Sequence, residues 1–171
     1  MQCAAATVLI IALTTPVVAQ EANGDAEEGE AIFDRQCAFC HVIQDEEGEV
    51  IAGRDGGSGP NLFGVIGSAP GSRYDEFAYS DSLVAYGETG VTWGVANLVS
   101  FVQNPTGHLR DALEDSGARS DMSYKLRGEQ DALDIQAYLA RFAVEKTAPE
   151  GETGTSAAEN DVSGANHSEK P

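Results

Sequence analysis

The most constraining feature of this chain is the stretch CAFCH, residues Cys37 to His41. It places two cysteines three positions apart and a histidine directly after the second. Three kinds of site use such a pattern: a structural zinc ion, a redox disulfide, or a covalently attached haem. Each of them places different demands on the rest of the chain, so the remaining residues can distinguish them.

The small number of other cysteines and histidines in the chain favours the haem over a zinc ion. The further cysteine is Cys3, near the N-terminus, and the further histidines are His108 and His167, too few for a four-ligand zinc site in the folded part. No strand–helix–strand pattern surrounds the motif, as a thioredoxin-like disulfide would require. Haem attachment uses both thiols and places the next imidazole beneath the porphyrin. Cys37 and Cys40 are therefore predicted to bind one haem c covalently, with His41 as an iron ligand.

The N-terminus predicts export. Residues 1–19 carry no charge, and the apolar run from Ala4 to Leu13 is broken by Pro16. This run is shorter than the roughly 20 residues that a membrane-spanning helix needs. We predict that residues 1–19 are a cleaved signal peptide, that the protein is periplasmic, and that it makes no stable membrane insertion. An uncleaved anchor is the alternative, because no basic residue precedes the run.

Composition divides the rest of the chain in two. Residues 147–171 are rich in Gly, Ala, Ser, Thr and Glu with a single Val, so they are predicted to be a disordered acidic tail. The folded domain is predicted to span residues 20–146. It holds 23 acidic and 9 basic residues and therefore carries a net charge of −14. Nucleic acid and anionic lipid surfaces are poor partners for such a domain.

Helical signals dominate the domain. Asp25 is a predicted N-cap, with Glu28 completing a capping-box pattern. A second helix is predicted over residues 95–103, and a third from the helical spacing of apolar residues over 132–142. No segment shows sustained strand alternation, so the expected fold class is all-α, with short helices and long loops. Loops this long in a compact domain indicate that a cofactor fills the centre.

The other axial ligand of the iron is predicted from the number of methionines in the chain. Met122 is the one methionine that follows the signal segment, and it lies in the polar stretch SDMSYKL between helices. A methionine in a polar loop is poorly placed to fill a core, so Met122 is the predicted ligand. His108, on a polar stretch after Asn104-Pro105, is the alternative.

Several motifs in this order resemble a class I cytochrome c of the long bacterial type called cytochrome c2 or cytochrome c-550. The resemblance covers residues 24–142, nearly the whole domain. It is carried by these stretches in chain order: GDAEEGEAIFDRQCAFCHVI, GPNLFGVIG, FAYSDSL, VTW, MSYKL and DIQAYLA. It implies the cytochrome c fold, wrapped around one covalent haem.

The resemblance also implies roles for individual residues. The Pro60 carbonyl would accept a hydrogen bond from His41, and three side chains would bond the haem propionates: Tyr79, Ser80 and Trp93. Gly29 and Phe33 would pack against Ile135 and Tyr138, where the two terminal helices cross.

Three positions depart from the family pattern. Ser68 stands where an arginine usually lies near a propionate, and Arg73 is a candidate replacement. Phe101 stands where a tyrosine usually bonds the methionine sulfur. Asp121 replaces a lysine, and the chain has three lysines in all, whereas relatives dock through a ring of lysines.

The function implied is that of a monomeric periplasmic single-haem electron carrier, not an enzyme. It would dock transiently to membrane redox complexes, taking electrons from the cytochrome bc complex and passing them to a photosynthetic reaction centre or a terminal oxidase. Two alternatives remain at this point. One is a haem enzyme or gas-binding sensor with an open axial site, and the other is a haem-delivery protein without redox partners.

Overall fold

A computed structural model describes residues 24–54 and 57–144. The predicted signal peptide and acidic tail lie outside these residues, as does His167. Within the described residues no helix is long and apolar enough to cross a bilayer. The elements are, in chain order, α1 Ala26–Ile32, a π-helical segment Phe33–Cys37, β1 Val42–Gln44, β2 Val50–Gly53, α2 Asp81–Glu88, α3 Val95–Gln103, α4 Pro105–Leu113 and α5 Glu129–Ala140.

Helix α1 begins at the predicted cap. Asp25 Oδ1 accepts hydrogen bonds from the backbone N–H groups of Glu27 at 2.8 Å and Glu28 at 3.3 Å. The N–H of Asp25 donates to Asp134 Oδ1 in α5 at 2.7 Å. The capping-box pattern predicted that this N–H would instead donate to the Glu28 side chain. A tertiary contact thus replaces half of the local motif and ties the start of α1 to α5.

The predicted crossing of α1 and α5 is confirmed. A Cβ atom at Gly29 would lie 2.0 Å from the backbone oxygen of Asp134, so only glycine allows the two backbones to approach this closely. One turn further along, the fully buried Phe33 ring packs against Tyr138 with centroids 5.6 Å apart, and Ile135 is buried beside them. This crossing anchors the segment that leads into Cys37.

Helix α3 matches its predicted bounds, but the chain then does something that was not predicted. Asn104 ends α3, and α4 begins at once with Pro105 as its first residue. Proline suits a first helical position because its missing N–H would have no partner there. Asn104 is therefore both the C-cap of α3 and the N-cap of α4. His108 lies on α4 rather than in a loop. Helix α2 was also not predicted.

The expectation that the chain has no strands was wrong in one place. Val42–Gln44 and Val50–Gly53 pair antiparallel, with Ile43 opposite Ala52. Strands of three and four residues are too short to show an alternating pattern. The helical fold class stands, with this small sheet placed directly after His41.

Candidate haem site

The CAFCH stretch is positioned by the end of the first helical segment. A π-type hydrogen bond joins Ala38 N–H to Phe33 O at 2.9 Å, and the N–H groups of Cys40 and His41 both donate to Cys37 O, at 3.0 and 2.9 Å. This tight turn brings Cys37, Cys40 and His41 to the wall of one cavity. Both thiols are free.

Within the described residues, one hydrogen bond orients the imidazole of His41. Its Nδ1 lies 2.9 Å from the carbonyl oxygen of Pro60, the contact that the resemblance implied. A carbonyl only accepts hydrogen bonds, so Nδ1 carries the proton and Nε2 keeps its electron pair. Burial lowers the pKa of His41, and the bond to Pro60 opposes this only in part. The neutral ring is in the state that a metal ligand requires.

Gly59 is a residue of the site that sequence reasoning missed. A Cβ atom there would lie 2.6 Å from His41 Cε1, so the bare backbone packs directly on the ring. Two backbone hydrogen bonds fix the loop that contains Gly59 to the segment around His41. Gly59 N–H donates to Cys40 O at 2.9 Å, and Leu62 N–H donates to Val42 O at 2.8 Å. Gly59 belongs to a matched stretch, but nothing in the sequence assigned it a contact.

Met122 lines the same cavity and is half-buried. Hydrogen bonds hold its loop at both ends: Ser120 N–H donates to Thr106 Oγ1 at 3.2 Å, and Leu126 N–H donates to Val102 O at 2.9 Å. The Met122 N–H itself donates to Ser120 Oγ at 3.2 Å. The predicted loop position thus presents a thioether to a preformed space.

His108, the alternative ligand, is not among the residues that line this cavity. Its ring packs edge-on against Tyr86 and Phe101, at centroid distances of 5.1 and 5.9 Å, and its Nδ1 lies 3.0 Å from Ser100 Oγ. Phe101 stands between this histidine and the cavity that it lines. The geometry therefore favours Met122.

The three residues predicted to face propionates also line the cavity. Trp93 is buried, and its backbone is fixed by bonds to Ser68 O and from Gly67 N–H, both at 2.8 Å. Tyr79 is half-buried, and burial raises the pKa of its hydroxyl above its ordinary value. Ser80 directly precedes α2.

The residues present fit a haem. The cavity measures about 400 Å³, within the usual range for cofactor sites, and much of its wall is apolar, including Phe33, Leu98 and Leu139. Burial and the neighbouring Cys40 raise the pKa of Cys37 to about 11, whereas redox Cys-x-x-Cys pairs have lowered thiol pKa values. Among the described residues, no group of three or more His, Cys, Asp or Glu side chains is arranged to hold a metal ion.

Comparison with known proteins agrees with this geometry. No protein-family model matches the chain. A cytochrome c2 of Rhodovulum adriaticum is 47% identical over 124 residues, covering 72% of this chain and 97% of the relative. A cytochrome c-550 of Paracoccus denitrificans is 36% identical over 139 residues, covering 80% of this chain and 84% of the relative. The crystal structure of cytochrome c2 from Rhodobacter sphaeroides superposes with a TM-score of 0.68 at 41% identity, covering 71% of this chain and 98% of that one.

Proposed function

This chain belongs to the cytochrome c2 family of class I cytochromes c, and we propose that it is a periplasmic carrier that moves single electrons between membrane redox complexes. Family membership makes it a single-haem electron carrier with one covalent haem c. The observation that supports the proposal from within the chain is that Cys37, Cys40, His41 and Met122 line one cavity.

The residues would divide the work as follows. Cys37 and Cys40 would attach the haem through thioethers, and His41 Nε2 and the Met122 sulfur would occupy the two axial positions of the iron. When bound, the haem supplies an iron centre that gains and loses one electron, at a potential that methionine ligation raises. The hydrogen bond between His41 and Pro60 would keep the imidazole oriented toward the iron.

With His41 and Met122 both bound to the iron, no coordination position would remain for oxygen or a substrate, which would suit electron transfer. The protein is therefore proposed to be a carrier and not an enzyme or gas sensor. The visible spectrum of the oxidised protein tests this, because a weak far-red band accompanies ferric iron bound to thioether sulfur. Absence of that band would instead favour an open axial site.

The proposed partners are the cytochrome bc complex as donor and a photosynthetic reaction centre or terminal oxidase as acceptor, each docked transiently by a monomer. Membranes of the source organism should reduce the purified protein in the presence of quinol, and inhibition of the bc complex should abolish this reduction. Reduction that continues at an unchanged rate under the inhibitor would assign a different donor.

A further inference from the structure

Arg73 contributes a charge to the haem cavity that the assigned ligands do not explain. Of the described residues, it is the one lysine or arginine that lines the cavity, and its side chain is only 25% exposed. The cavity also has one carboxylate on its wall, Asp121, next to Met122. A half-buried cation on an otherwise largely apolar wall calls for an anionic partner.

The position of the guanidinium is determined by neighbouring backbone. Its Nε donates to Phe63 O at 3.3 Å, and a Cβ atom at Gly64 would lie 2.7 Å from both Nε and Nη2. Gly64 has φ of +68°, a conformation that glycine adopts without strain, and its lack of a side chain makes room for Arg73. The Tyr74 ring lies 5.5 Å beneath the guanidinium carbon, and the Tyr74 hydroxyl donates to the same Phe63 oxygen at 2.9 Å.

In the described part of the chain, the hydrogen bonds of the guanidinium, including one to the Tyr74 side chain, leave some of its donors for a further partner. Apart from the bond to Phe63, Nη2 lies 3.3 Å from Glu46 Oε1, whose side chain is 68% exposed. A guanidinium has five N–H donors, and these two bonds use two of them. An exposed ion pair such as Arg73–Glu46 contributes little to stability. It therefore does not by itself explain why the Arg73 side chain is fixed in this position.

The haem brings carboxylates to this cavity. The propionate-facing residues Tyr79, Ser80 and Trp93 provide only neutral donors, and the Ser68 hydroxyl already donates to Val65 O at 2.7 Å. A carboxylate taken from water without a cation carries a large desolvation cost, and a guanidinium offsets it through paired hydrogen bonds. We propose that Arg73 pairs with a haem propionate and neutralises its charge, a role that rests on the haem occupying the cavity described above.

The pairing is tested by the midpoint potential of two charge-matched variants. Arg73→Gln and Arg54→Gln each remove one positive charge, but Arg54 is exposed and does not line the cavity. Arg73→Gln should lower the midpoint potential at neutral pH, because an unpaired propionate stabilises the ferric state. Its potential should also rise as the pH falls and the propionate takes up a proton, whereas Arg54→Gln should follow the wild type throughout. Equal curves for the two variants would overturn the proposal.

A structure of the haem-loaded wild type provides a readout that needs no variant to fold. A guanidinium nitrogen of Arg73 is expected within hydrogen-bond distance of a propionate oxygen. Propionates bonded only to Tyr79, Ser80, Trp93 and water would refute the pairing. The far-red band and partner reduction, which test electron transfer, are independent of either result.

Discussion

At the scale of single residues, the clearest departure from the family pattern concerns the surroundings of Met122, the proposed iron ligand. Phe101 is buried, lines the cavity together with Met122, and packs on Trp93 with ring centroids 5.0 Å apart. Its phenyl ring has no hydroxyl to donate to the Met122 sulfur, which would therefore be a stronger donor to ferric iron than with a tyrosine at this position. We expect a midpoint potential below the usual family value.

Phe101→Tyr should raise that potential. A neutral hydrogen bond contributes ~0.5–1.5 kcal/mol. Since roughly 59 mV corresponds to about 1.4 kcal/mol for one electron, the expected rise is about 20–60 mV. Potentiometry measures it, with Phe77→Tyr as control, because Phe77 lines the same cavity beside Tyr79. A rise of equal size in both variants, or none in Phe101→Tyr, would contradict the expected hydrogen bond to sulfur.

His108 makes a second prediction at this scale. Its Nε2 is buried without a hydrogen-bond partner in the described part of the chain, and burial lowers the pKa of the ring more than Asp111 raises it. Because the folded pKa lies below the ordinary 6.5, the unfolded state binds more protons as the pH falls through that value. His108 therefore lowers the free energy of unfolding in acid and has no such effect above neutral pH.

His108→Phe should remove this part of the acid sensitivity. The phenyl ring keeps the contacts with Tyr86 and Phe101 and has no nitrogen to protonate. Denaturant unfolding of the haem-loaded proteins between pH 7 and pH 5 should show the variant losing less stability than the wild type. Parallel stability curves would mean that His108 titrates alike in both states.

At the scale of elements, the crossing of α1 and α5 holds the haem-attachment segment in place. Gly29→Ala would put a methyl group 2.0 Å from the Asp134 backbone oxygen, so the helices must separate. Such overpacking costs about 1–3 kcal/mol or more, measured as a lower free energy of unfolding. Gly57→Ala is the control, because a Cβ atom there would have no neighbour within 4 Å among the described residues, so the change should leave stability nearly unchanged. A free energy of unfolding for Gly29→Ala that is as high as that of Gly57→Ala and the wild type would show that the crossing tolerates a side chain.

At the scale of the whole molecule, charge distinguishes this chain from relatives that dock through lysines. Its net charge is −18, and the basic side chains around the methionine loop are Arg119, Lys125 and Arg127, with Asp121 among them. Lys125 Nζ is engaged with Asn104 Oδ1 at 2.6 Å. At the cavity mouth Phe39 is 90% exposed and Tyr124 41% exposed. We expect docking to depend on apolar contact more than on long-range attraction.

Salt dependence tests this docking. Raising the ionic strength from ~0.01 to ~0.15 M shortens the Debye length from about 30 to about 8 Å. Electron transfer with native membranes should slow by less than about tenfold, the lower end of what electrostatic steering supplies. Phe39→Ala should slow it at both salt concentrations, and Val50→Ala, an exposed apolar residue away from the cavity, should not. A steep fall with salt in the wild type would contradict the expectation.

Features set by local chemistry could be predicted from the sequence. CAFCH indicates a covalent haem once the rest of the chain is seen to lack the further ligands of a zinc site, and the N-cap of α1 and the span of α3 follow from neighbouring residues. Met122 could be predicted as a ligand because His108 was the one alternative. In the structure His108 lies on α4 and packs against Phe101.

Contacts between distant residues were decided only by the tertiary structure. The small sheet forms because two short segments meet, Asp134 takes over a capping bond of α1, and Gly59 lies against the His41 ring from 18 positions along the chain. The position of the Arg73 side chain depends on its contacts with Phe63, Gly64 and Tyr74. Such contacts arise from packing in three dimensions, and no local pattern in the chain encodes which side chain will reach which neighbour.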